Sequence, residues 1–186
     1  MKIEDISTKK EKKQKIYRYY GSKINLAGSI FLIGAILGVI WMCYIINNKD
    51  MLQLIEVLKK EDFIQNVPTF KSIFMTNIVV AFIMCIGAIA GRFIPQIIIL
   101  INGFMLVTVV SSYFYTNISK MVLLSLLPHS IIEVFLLLFC ASFGMKKYIK
   151  YSWQEYLKLF IFIIIGFAIA ACIEVNVSYR MAQYFQ

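Results

Sequence analysis

Charge is scarce in this chain. Charged residues make up 16% of its 186 residues and apolar ones 60%, and the mean hydropathy is +0.76. Those values exclude an ordinary soluble domain. Paired cysteines at metal-binding spacing are missing as well. Cys43, Cys85, Cys140 and Cys172 fall on four different apolar segments with no CxxC, which argues against a zinc knuckle or a disulfide framework. They are expected to serve as small apolar filler. The apolar segments lack the alternation of a membrane β-strand and are too long for one, so a β-barrel is excluded. No Ala-x-Ala site is present near the first apolar segment, and the about 23 polar residues ahead of it are too many for a signal peptide. That segment is expected to stay as an anchor.

What the chain does have is a series of long apolar runs. They are residues 24–46, 72–91, 93–119, 121–145 and 159–179. Each approaches or exceeds the roughly 20 residues that cross about 30 Å of hydrocarbon. The reading is all-α: a polytopic membrane helix bundle of about five transmembrane helices. Residues 1–23 form a basic cytoplasmic tail and residues 24–186 a single transmembrane helical domain. Positive charge orients it. Lys9, Lys10, Lys12, Lys13, Lys15, Arg18 and Lys23 crowd the tail. Arg92 lies between the second and third runs, and Lys146, Lys147, Lys150 and Lys158 between the fourth and fifth. All of these fall on one side if the N-terminus is cytoplasmic, which leaves the C-terminus outside. The net charge of +9 is then read as basic residues meeting anionic lipid, and no nucleic-acid partner is expected. In the first outer loop Met51, Leu54, Ile55 and Leu58 recur at helical spacing, with Lys59, Lys60, Glu61 and Asp62 near the other face. That pattern predicts a short interfacial helix.

Two Gly-x-x-x-Gly pairs, Gly34/Gly38 and Gly87/Gly91, fit the close-approach pattern of membrane helices, with packing inside the chain expected over a dimer seam. Pro128 removes a backbone donor and leaves the carbonyl near Leu124 unpaired, which adds polarity beside the only histidine of the chain, His129.

Ionisable side chains at membrane depth are costly and mark functional sites by default. Three lie inside the runs: His129 and Glu133 on the fourth, Glu174 on the fifth. His129 and Glu133 are four residues apart and share a helix face. At 1.5 Å per residue, His129 lies about 12 Å and Glu133 about 18 Å below the outer start of the fourth helix, and Glu174 about 8 Å below the outer end of the fifth. Asn77 starts at a similar level, and Asn102 lies near the midplane. A polar cluster in the outer half of the bundle is expected. Three chemistries fit it. His129, Glu133 and Glu174 could hold a divalent metal such as zinc with a position open for water. The paired carboxylates could divide acid and base roles. Ser125, His129 and Glu133, at i, i+4 and i+8, could act as nucleophile, base and orienter. Against all three stands a purely structural use, in which these groups only hydrogen-bond the helices together.

The same residues resemble the signature of the stage II sporulation protein M family. Leu-Pro-His-x-x-x-Glu at 127–133 is followed by Ala141-Ser142-Phe143-Gly144. Phe74-x-x-Asn77-x-x-Val80-Ala81 precedes a Gly-x-x-x-Gly, Ile101-Asn102-Gly103 matches an "NG" motif, and Ala170-Ala171-Cys172-Ile173-Glu174 a closing "AAxxE". The similarity covers roughly residues 31–178, in family order. Ser130 departs from the family, which often has Gly there. The resemblance implies a multi-pass protein of the bacterial cytoplasmic membrane. It points in two directions: an anchor for cell-wall hydrolases, as in the sporulation member, or a stand-alone protein encoded with circular bacteriocins in Gram-positive bacteria. The short Ile- and Lys-rich chain suits the second. The leading expectation is an intramembrane peptidase or peptide ligase for leader removal or head-to-tail cyclisation of a small hydrophobic peptide. His129, Glu133 and Glu174 would be catalytic, and Asn77, Asn102 and Ser125 would bind substrate. The alternative is a scaffold, export or immunity partner that binds a transporter or other membrane proteins.

Overall fold

The computed structural model describes residues 3–48, 69–115, 120–145 and 153–178. Among them the chain forms α1 (Ile3–Ile46), α2 (Phe70–Ala90), α3 (Phe93–Tyr115), α4 (Lys120–Gly144) and α5 (Trp153–Ile173), and α5 runs on into a π-helical turn, Glu174–Ser178. No strand occurs among the described residues. Four of the helices are long and apolar enough to cross a membrane, over Gly21–Ile46, Phe70–Ala90, Phe93–Ser111 and Leu157–Val177. α4 carries a shorter apolar stretch, Pro128–Gly144, within its 25 residues. Large apolar side chains such as Leu32, Ile36, Phe82, Ile89 and Phe160 are exposed around the bundle, as expected where the solvent is lipid. The protein is a multi-pass membrane helix bundle.

The basic tail is helical and continuous with the first span, since α1 is unbroken through residue 24. The expected interfacial helix at residues 51–63 lies outside the described residues.

Chain punctuation follows local chemistry. Thr69 caps α2, its hydroxyl accepting from the Ser72 N–H at 3.2 Å. Gly91 ends the helix at φ 145°, with its N–H donating to the Gly87 carbonyl at 3.0 Å. A residue with a Cβ rarely adopts that backbone conformation. The second member of the Gly87/Gly91 pair is therefore a turn residue, not a packing one. Pro95 opens α3 in its first turn, where a missing N–H costs nothing.

Helix contacts set the directions. Gly34 and Gly38 of α1 lie against Leu100, Phe104 and Val107 of α3, and Gly103 of α3 lies against Phe31 and Ala35. Positions rise together along the two helices, so α1 and α3 run parallel. Gly144 of α4 lies against Met84 of α2, and Gly87 of α2 meets both Pro95 and the Gly144 carbonyl. α4 touches all four other helices and supplies Leu136, Leu137, Cys140 and Ala141 to the buried core. α5 crosses it in the opposite direction: Phe139 stacks edge-on against Phe162 with ring centroids 5.7 Å apart, and Leu136 covers Gly166. Lipid offers no hydrophobic drive for helices to associate, so close contact through small residues has to supply the cohesion.

Candidate functional site

Asn77 and Glu133 meet across the α2–α4 interface: the Asn77 Nδ2 donates to Glu133 Oε1. This pairing sits above the Gly144–Met84 contact and fits the same parallel alignment. Asn77 reaches α4 because its helix face continues through Ala81 and Met84, both buried. On α4 the inward stripe reads His129, Glu133, Leu136 and Leu137, Cys140. Pro128 and Ile131 face outward.

Glu174 arrives from a third helix. The π-helical turn it opens packs against α4, and Glu174 stands close enough to Glu133 for their charges to interact. Two fully buried alanines, Ala170 and Ala171, let the end of α5 sit this close. The turn itself has a local cause. The Asn176 Nδ2 donates to the Cys172 carbonyl at 3.0 Å and competes with the backbone N–H for that acceptor. The expected α-helical end at 159–179 is thus widened where Glu174 stands.

The site is an amide and two carboxyl groups, contributed by α2, α4 and α5. His129, one turn before Glu133, is 5% exposed and extends the polar stripe into the protein interior. Among the described residues no three His, Cys, Asp or Glu side chains are grouped so as to hold a metal ion. Asn102 does not join the contact between α2 and α4. Its Nδ2 turns back onto the Ile98 carbonyl of its own helix at 2.8 Å, the usual use of a short amide inside an apolar helix. The Ser125 side chain lies outside the described residues.

Cys140 is buried in the apolar core and Cys85 is half-buried against it.

The motifs singled out in the sequence are the residues at these interfaces. Asn77 meets Glu133, Gly103 meets Phe31, Gly144 meets Met84, and the paired alanines precede Glu174. The Ser142 hydroxyl donates to the Phe139 carbonyl at 2.7 Å within α4. Comparison with known proteins agrees. An uncharacterized protein of Methanocaldococcus jannaschii is 29% identical over 174 residues, covering 83% of this chain and 93% of its own length. No solved structure matches. The profile of stage II sporulation protein M matches residues 26–179, and the chain belongs to that family.

Proposed function

We propose that this protein matures a small hydrophobic peptide inside the bacterial cytoplasmic membrane, as in leader removal or head-to-tail closure of a circular bacteriocin. The observation that carries the reading is the Asn77–Glu133 contact across α2 and α4, with Glu174 on the turn packed against α4. Two acids and an amide at membrane depth exceed what helix cohesion needs, and intramembrane acids mark function by default. In leader removal one carboxylate takes a proton from water as it adds to the scissile carbonyl, and the proton goes to the departing amine. In closure the same group takes a proton from the N-terminal amine as it adds to the terminal carboxyl, and passes that proton to the carboxyl's hydroxyl, which leaves as water. Asn77 holds Glu133 in place, and His129 is the nearest further proton carrier on the same stripe. A dry interior favours ring closure, because water competes for the same carbonyl.

A scaffold reading is favoured by one specific observation, the Asn77–Glu133 bond, since interhelical bonds also occur without chemistry. One experiment separates the two. Glu133→Gln keeps an oxygen that accepts from Asn77 but loses the carboxylate. In a peptide-producing host it is expected to accumulate to the parent level in the membrane while mature peptide disappears. Normal mature peptide from that variant would remove Glu133 from the chemistry. A loss of the protein itself would favour the scaffold.

A further inference from the structure

The polar site is closed toward one end of the bundle. Between Glu133 and Gly144, α4 buries Leu137, Cys140 and Ala141, and Ala81 and Met84 of α2 and Phe167 of α5 belong to the same core. All six are at most 5% exposed. Glu133 and Gly144 are eleven residues apart, about 16 Å along the helix. At the foot of this stretch three helices meet. A Cβ on Gly87 of α2 would run into Pro95 of α3 and lie against the Gly144 carbonyl of α4, so no gap is left there for water. Asn77, Glu133 and Glu174 are nevertheless only half-buried. Their exposure therefore comes from the opposite end. Hydrocarbon is a poor alternative, because carboxyls at membrane depth face protein or a water-filled cavity. Toward that opposite end α4 carries His129 and Ser130, and on α2 Phe70 stacks on Phe74 with ring centroids 5.7 Å apart. A mouth that is polar on one helix and aromatic on the other admits both water and an apolar chain end.

With the basic tail in the cytoplasm, the closed end is the cytoplasmic one and the mouth faces outward. We propose that the site opens only to the outer aqueous phase, so that a peptide reaches it after crossing the membrane and a translocation step supplies the substrate. A chain arriving from the cytoplasm would have to part α2, α4 and α5 along the packed length below Glu133. The product leaves by the same mouth, on the outer side. The translocation step rests on the peptide-maturing role given above, whereas the one-sided opening does not.

Glu174→Cys and Asn77→Cys are made in the full-length Cys43→Ala/Cys172→Ala protein, whose two replaced cysteines are exposed. Arg92→Cys, at the exposed turn between α2 and α3, reports the cytoplasmic side. Spheroplasts and inverted membrane vesicles are treated with a membrane-impermeant trimethylammonium methanethiosulfonate. Thiols left unreacted are then tagged in denaturant with a polyethylene-glycol maleimide, and each tag retards the chain on a gel. Losses are counted against the Cys43→Ala/Cys172→Ala protein treated alike. Glu174→Cys and Asn77→Cys are each expected to lose one tag in spheroplasts and none in inverted vesicles, and Arg92→Cys to do the reverse. A tag lost from either site variant in inverted vesicles, or from neither in spheroplasts, would overturn the proposal. Mature peptide is not part of the readout, so failure here is distinct from failure of the Glu133→Gln test.

Discussion

Glu133 is the residue on which the polar site turns, because it accepts from Asn77 across the α2–α4 interface and the turn opened by Glu174 packs against its helix. A buried acceptor deprived of its donor pays its desolvation without return. Asn77→Leu removes the donor and leaves the carboxyl facing apolar side chains. It is expected to lower stability by about 1–2 kcal/mol, read as an earlier thermal transition in detergent. Asn102→Leu removes only a bond back to its own helix and is expected to cost less than Asn77→Leu. Equal losses from the two would show that the α2–α4 bond contributes nothing of its own.

At the scale of the helix, α1 tests whether small residues hold the bundle together. Gly34 and Gly28 lie on the same helix with opposite surroundings. A Cβ at Gly34 would overlap the carbonyl of Leu100, whereas at Gly28 it meets nothing within 4 Å. Gly28→Ala should therefore leave the melting transition unchanged or raise it slightly, since alanine favours the helix. Gly34→Ala should force α1 away from α3 and cost about 1–3 kcal/mol. The comparison uses one chemical change at two places, so helix propensity cancels and only the approach of the backbones differs. Matching transitions for the two variants would rule out a close α1–α3 contact. The same reasoning explains why Gly87 and Gly91, alike in the sequence pattern, diverge: Gly87 meets Pro95 and Gly144, while Gly91 turns the chain at φ 145°.

Across the whole molecule, the parallel pairs α1 with α3 and α2 with α4 constrain how the chain threads the membrane. Since α2 and α4 run the same way and side by side, α3 returns between them. α4 then crosses with α2, its 25 residues being enough to cross the hydrocarbon. Five crossings would place the two termini on opposite sides, and the basic tail then predicts a cytoplasmic N-terminus. Alkaline phosphatase, which is active only after export, is expected to be active when fused after Gln186 and inactive when fused after Lys147. The reverse pattern would invert the topology and put the carboxylates in the inner half of the bundle.

How much of this could be read from the chain alone follows from the range of the forces involved. Hydrocarbon thickness acts on every residue of a span, so the five helices were visible as runs of apolar residues, but the polar turns that extend α1 back to Ile3 and α5 back to Trp153 left no apolar signal. The cost of an acid in lipid is equally local, and it singled out Glu133, Glu174 and His129 without any partner in view. Pairing is different, because it depends on which face of one helix meets which face of another. That is why Asn77 and Asn102 looked alike in sequence although one bonds a neighbouring helix and the other its own. Membrane insertion was decided by composition; partner choice was decided by the offset between α2 and α4, which the backbone contacts at Gly144 and Met84 set.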